Sequence, residues 1–335
     1  YFAQEGLKGN MNTWNDILKE IQETRTPANT PDLDKIRRSK MKAVSEHTGR
    51  PLIIYVVDFL NTGKLQGVGS EISLDWSDKE GFIEAIQDIE GDSVDILIHS
   101  PGGLAEATDS IVDIIRGRFA HVRFMVPNIA KSAATMLALS GNEILMDVDS
   151  ELGPIDPQLT FRKGDGSIVN APAQAIIDQF EKAQKSIAKD PKLLAPWLPI
   201  LQQYGPSLYQ QAQTAIELSK DLVKEWLKKY MLSDVMNKGK KASNIAKYLS
   251  NHNNFKSHAK RIGLQELREI KALKPIKVFD LKDDKELQNK ILGLYPSISF
   301  TFAMTGAYKI FENTNGRALI RDVQMIQIPG PPPGR

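Results

Sequence analysis

Two short runs in this chain combine small residues with a hydroxyl in a way that suits acyl transfer. The first is Ile98-His99-Ser100-Pro101-Gly102-Gly103, where paired glycines let the backbone turn sharply and leave amides uncovered by side chains. The second is Pro127-Asn128-Ile129-Ala130-Lys131-Ser132-Ala133-Ala134, which sets Ser132 at the first turn of an expected helix. Free amides and the positive dipole end favour negative charge at such a position. A hydroxyl there is placed to attack a carbonyl while the Gly103 and Ala133 amides hold the developing oxyanion. Each run also has a plainer reading: Pro-Gly-Gly makes an ordinary turn, and a serine opening a helix serves as an N-cap.

Other reactive side chains are weighed against these two runs. His99 directly precedes the glycine turn, so it either takes part or fixes the turn by a hydrogen bond. Asp156, in Gly-Pro-Ile-Asp-Pro-Gln, can accept a proton or orient a base, though Asp before Pro is also common in turns. Lys131 adjoins Ser132 but points in a different direction from a helix start, which suits it to steering acidic groups or packing its stem on the rim. Lys182 and Lys185 share a helix face with Glu181 and read as solvated. His47 and His252 lie in polar stretches and read as surface, and His121 opens a strand. No His-Glu-x-x-His or paired-carboxylate pattern suggests a metal.

These runs need elements to hold them. Apolar β-branched segments at 51–59, 94–98, 122–126 and 143–146 read as strands covered on both faces. Between them, 78–89, 108–116 and 132–139 read as helices, giving βαβ units with right-handed crossovers and a site at the strand carboxyl ends. Helices are also expected at 11–25, 32–47, 171–189, up to Met231 and over 242–274. The last ordered element is expected at 307–313 followed by 318–320, and the Pro/Gly-rich tail as disordered.

The chain has 335 residues, no cysteine, and 43 Lys+Arg against 41 Asp+Glu. Its length allows one large domain or two ordinary ones. Without cysteine there is no disulfide, thiolate metal site or cysteine nucleophile. Near-balanced charge argues against a dedicated nucleic-acid binder. The opening residues carry no signal-peptide pattern. Residues 193–216 lack any charged side chain, but Pro196, Pro199, Pro206 and Gly205 argue for a broken amphipathic segment that packs or forms a lid. Lying on a membrane surface is the less favoured reading of this stretch, and a spanning helix is not expected.

Ser-Pro-Gly-Gly at 100–103, Ala-Lys-Ser-Ala-Ala at 130–134 and Glu-Leu-Gly-Pro-Ile-Asp-Pro-Gln at 151–158 together resemble the Clp-protease/crotonase superfamily. Within it the chain is similar to the serine dehydrogenase proteinase family, related to signal peptide peptidase A. Further likeness lies at 48–55, 257–264 and 309–318. The resemblance implies an α/β fold, a Clp-protease/crotonase-like spiral of ββα units with added C-terminal helices. It divides the chain into an N-terminal helix and linker (1–34), a catalytic core (35–190), a helical extension for a lid or oligomerisation (191–325) and a tail (326–335).

It further implies a cytoplasmic serine endopeptidase, independent of ATP, with no cofactor or metal, acting on polypeptides as a homo-oligomer. Ser132 is then the nucleophile, and Gly103 and Ala133 are the oxyanion donors, with Gly102 in support. The Clp-type histidine position, near 157, holds no histidine. The comparison therefore points to a lysine base, Lys163, beside Asp165, with a pKa lowered by desolvation. His258 falls in a family-like motif and is expected to act as distant support or to pack. The alternatives are an inactive scaffold of the same fold and a crotonase-like acyl-CoA enzyme.

Overall fold

The computed structural model describes residues 12–163 and 166–323. Asp165 and the tail 326–335 therefore lie outside the described residues. The strands are β1 (Leu52–Val57), β2 (Ser93–His99), β3 (His121–Val126), β4 (Ile129–Ala130), β5 (Glu143–Met146), β6 (Glu151–Leu152), β7 (Gln158–Arg162), β8 (Ile168–Pro172), β9 (Val278–Asp280), β10 (Ala307–Asn313) and β11 (Ala318–Asp322). Among the described residues the α-helices are α1 (Trp14–Glu23), α2 (Leu33–Thr48), α3 (Thr62–Val68), α4 (Asp78–Ala85), α5 (Ala105–Arg118), α6 (Ala133–Leu139), α7 (Ala173–Lys189), α8 (Leu194–Leu201), α9 (Leu208–Lys229), α10 (Lys238–Ser250), α11 (His252–Phe255), α12 (Leu264–Glu269) and α13 (Lys285–Met304).

A seven-stranded sheet in the order β11-β10-β1-β2-β3-β5-β9 forms the centre of this mixed α/β fold. β1, β2, β3, β5 and β9 run parallel, whereas β10 pairs antiparallel with β1 and β11 antiparallel with β10. Every residue of β1 is buried, as a strand covered on both faces requires. Alternate side chains feed two cores. Ile53, Tyr55 and Val57 join Phe82, Phe124 and Phe311 on the side of α4 to α6, with α9 and α10 beyond. Leu52, Ile54 and Val56 join Met41, Val44, Leu294 and Ile298 on the side of α2 and α13.

Three features depart from expectation. The segment expected as a helical extension, 191–325, also supplies β9, β10 and β11 to the central sheet. Helix α13 is absent from the expected elements because Gly293 and Pro296 interrupt its pattern. Inside the fold its hydroxyls bond back along the helix, as Ser297 does to the Leu294 carbonyl and Thr301 to that of Ser297, and its apolar side is buried. Only part of the uncharged stretch packs: Leu194, Leu198 and Ile200 of α8 are exposed, whereas Leu208 and Ala212 of α9 are buried against Ile176 and Ile177 of α7. Among the described residues no helix is long and apolar enough to cross a membrane.

Candidate active site

Beside the main sheet, four chain segments lie together as a narrow ladder. Ser100 bridges Ala130 in parallel, β4 pairs with β6 in parallel through Ile129–Glu151 and Ala130–Leu152, and Leu152 bridges Ile262 in antiparallel sense. Direction of chain then decides what leaves at one end. Residues following Ser100, Ala130 and Leu152 emerge there, and so do residues preceding Ile262. Gly102, Gly103 and Ser132 follow their rungs within three residues, and Asp156 and His258 each lie four residues from the Leu152–Ile262 rung.

Ser132 stands immediately before α6 with φ 51° and ψ −121°, and its side chain makes no capping hydrogen bond. The plainer N-cap reading is thus not what its hydroxyl does. α6 is buried along its whole length, which its run of Ala, Met and Leu permits. Thr135 locks its first turn: its hydroxyl donates to the Ala130 carbonyl at 2.7 Å and accepts the Gly153 N–H at 2.9 Å.

The glycine turn fits against this serine without room for side chains. Gly102 has φ 88°, and a Cβ there would lie 2.4 Å from the Lys131 carbonyl and 2.8 Å from the Ser132 Cβ. A Cβ on Gly103 would lie 2.0 Å from the Leu74 carbonyl oxygen. Leu74 grips the turn from outside, donating to the Gly102 carbonyl and accepting from the Leu104 N–H, each at 2.8 Å. Among the described residues neither the Gly103 nor the Ala133 amide donates a backbone hydrogen bond, and Gly103 is exposed.

Asp156 is buried, and its two carboxylate oxygens are shared between two histidines. His258 Nδ1 lies 2.8 Å from Oδ1 and His252 Nδ1 lies 2.7 Å from Oδ2. A carboxylate only accepts, so each ring donates a proton from Nδ1, and the tautomer with Nε2 as acceptor is the neutral form that fits. The surface reading of His252 is corrected here: the ring is half-buried and bonded to a residue 96 positions away. Its neighbours Asn251, Asn253 and Asn254 are polar, so nothing local signals that partner.

The other candidates lie as follows. His99 is buried against Phe59 and Tyr295, accepts the Ile129 N–H on Nδ1 at 3.3 Å and meets Tyr295 through Nε2 at 3.4 Å. Burial pushes its pKa down to about 4, so the ring is neutral and serves to hold β4. Lys131 is committed to Glu151 and to the Leu152 carbonyl at 3.0 Å, which stitches β4 to β6. Lys163 is half-buried at the tip of the β7–β8 hairpin, and no hydrogen bond joins it to Ser132 among the described residues. Lys185 pairs with Glu181 on an exposed face of α7 beside Lys182. His47 is held by Asp284 and Glu286, and His121 approaches Arg50 and Glu143. Among the described residues no group of acidic and imidazole side chains is placed to hold a metal ion.

A family model described as ClpP-like SDH-type serine proteinase matches residues 32–283, well over half of the chain. Two uncharacterized proteins of Methanocaldococcus jannaschii are similar. MJ0137 is 34% identical over 35% of this chain and 38% of its own length, and MJ1495 is 27% identical over 67% and 66%. The chain thus spans less than two thirds of either relative. Among solved structures, two mutant forms of the 1510-N membrane-bound stomatin-specific protease align at 20% identity and TM-score 0.38. One alignment covers 65% of this chain and 79% of that one; the other, a complex with a substrate peptide, covers 75% and 84%.

Proposed function

The chain belongs to the ClpP-like SDH-type serine proteinases, and from that premise we propose that it hydrolyses peptide bonds through an acyl-enzyme on Ser132, with His258 as general base. The observation that supports this reading is the ladder, in which the glycine turn and the serine follow Ser100 and Ala130 while Asp156 and His258, bonded to each other, flank the Leu152–Ile262 rung. Ser132 Oγ attacks the scissile carbonyl carbon as its proton passes to His258 Nε2. Asp156 holds the ring in the Nδ1–H tautomer and stabilises the imidazolium. The N–H groups of Gly103 and Ala133 receive the oxyanion. Collapse of the tetrahedral intermediate breaks the C–N bond, and His258 returns the proton to the departing amine. Water, deprotonated by the same nitrogen, then releases the acyl group. His252 occupies the second oxygen of Asp156 and so fixes the carboxylate's orientation.

Labelling with a fluorophosphonate tests the nucleophile: wild type should be modified at Ser132, and Ser132→Ala should escape labelling and lose about 10⁴-fold or more in kcat toward an unfolded polypeptide such as casein. Cleavage at the wild-type rate by Ser132→Ala would refute the reading.

A second base is the one that the family resemblance implies, Lys163, directly after β7. The two bases separate by substitution. With His258 as base, His258→Ala loses about 10³-fold or more in kcat while Lys163→Ala stays within about threefold of wild type. The opposite ranking establishes the lysine.

A further inference from the structure

Outside the residues assigned to chemistry, one buried cluster has geometry that reaches the site. Lys309, mid-strand in β10, and Asp78, first residue of α4, are fully buried and paired, with Nζ 2.7 and 2.9 Å from the two carboxylate oxygens. The third ammonium proton goes to the Ser73 carbonyl at 2.7 Å. Tyr55, fully buried in β1, donates to Asp78 Oδ2 at 2.9 Å, and the Asp75 N–H reaches the same oxygen at 3.3 Å.

A buried pair of this kind recovers its desolvation cost only in part, and an apolar cluster of equal volume serves stability about as well. What the ions supply and an apolar cluster cannot is a partner for two backbone groups, the Ser73 carbonyl and the Asp75 N–H. These flank Leu74, the residue whose own N–H and carbonyl grip Gly102 and Leu104. The segment 73–75 is therefore clamped from both sides, and its middle residue sets where the Gly103 amide sits. A second link runs along the turn itself: the Gly102 N–H donates to Ser100 Oγ at 3.2 Å, and that hydroxyl also neighbours the Tyr55 phenol.

We propose that Lys309, Asp78 and Tyr55 are positioning residues for the oxyanion-binding turn, acting through Leu74 on the Gly103 amide without touching substrate. The inference rests on the reading of that amide as an oxyanion donor. A misplaced donor weakens transition-state binding more than substrate binding, so the effect falls on kcat and spares KM. A second buried cluster provides the comparison. Glu312, also in β10, pairs with Arg37 at 2.6 Å on the opposite face of the sheet and touches nothing at the turn.

The test measures kcat, KM, inhibition by a peptide aldehyde and melting temperature for Tyr55→Phe, Lys309→Met and Glu312→Gln in the full chain. Tyr55→Phe should lower kcat about 10- to 100-fold with KM within about twofold, and weaken the aldehyde by the same factor as kcat. Glu312→Gln should lose comparable melting temperature and keep kcat. Should Lys309→Met not fold, Tyr55→Phe decides, since it removes one oxygen and keeps the ring. The inference is overturned if Tyr55→Phe retains wild-type kcat, or if kcat follows melting temperature equally in all variants. Either result in an enzyme whose wild-type activity depends on Ser132 leaves the peptidase reading standing, whereas a wild type with no such dependence fails that reading instead.

Discussion

Ser132 holds a left-handed backbone conformation that costs an L-residue about 1–3 kcal/mol. Alanine keeps this cost and glycine removes it. Ser132→Ala is accordingly expected to match wild type in unfolding free energy by urea titration, and Ser132→Gly to exceed it by about 1 kcal/mol while being equally inactive. A serine chosen for stability alone would show the reverse order. His99 offers a second check at this scale. Its folded pKa of about 4 lies below the ordinary value of 6.5, so as pH falls the unfolded chain takes up the proton first. The stability contributed by the neutral ring is complete above pH 6.5 and declines as pH drops toward 4, by about 3 kcal/mol at the lower limit. Denaturant midpoints across this range should fall more steeply for wild type than for His99→Gln. The motif residues themselves were legible, because Gly102, Gly103 and Ser132 sit in short local runs. The histidine partners were not, since Asp156 meets His252 and His258 across 96 and 102 positions.

Elements behave the same way. β1, β2, β3 and β5, with the helices between them, announce themselves by apolar β-branched runs and helical spacing, which depend on near neighbours alone. β4, β6 and the bridges at Ser100 and Ile262 are one or two residues long, too short for any period, and exist only because distant segments meet. Thr135 ties two of them, and its small polar side chain inside an otherwise apolar α6 was the one local hint. Thr135→Val keeps shape and removes the hydroxyl, leaving the buried Gly153 N–H without its acceptor. A loss of about 1–3 kcal/mol in unfolding free energy is expected, together with a fall in kcat from loosening of β6, the strand that leads to Asp156. Equal stability in the two proteins would remove Thr135 from this role.

At the scale of the molecule, the final strands close the fold and do not merely decorate it. β10 covers the open edge of β1 and buries Lys309, Glu312 and Asn313, whose partners lie in α2, α4 and the loop after it. A chain ending at residue 283, where the family match stops, loses all of these. It leaves Asp78, Arg37 and an apolar strand edge uncovered. Circular dichroism and proteolysis of that truncation should report a chain lacking cooperative unfolding, and a stable fold would show that β10 is dispensable.

The narrow ladder joins positions 100, 130, 152 and 262, and such long-range pairings close late in folding. During synthesis the serine helix leaves the ribosome well before Ile262 and the histidines that precede it. If His258 is the base, as proposed, a chain assembled in this order has no working base while it is nascent, and activity begins only when the last rung is in place.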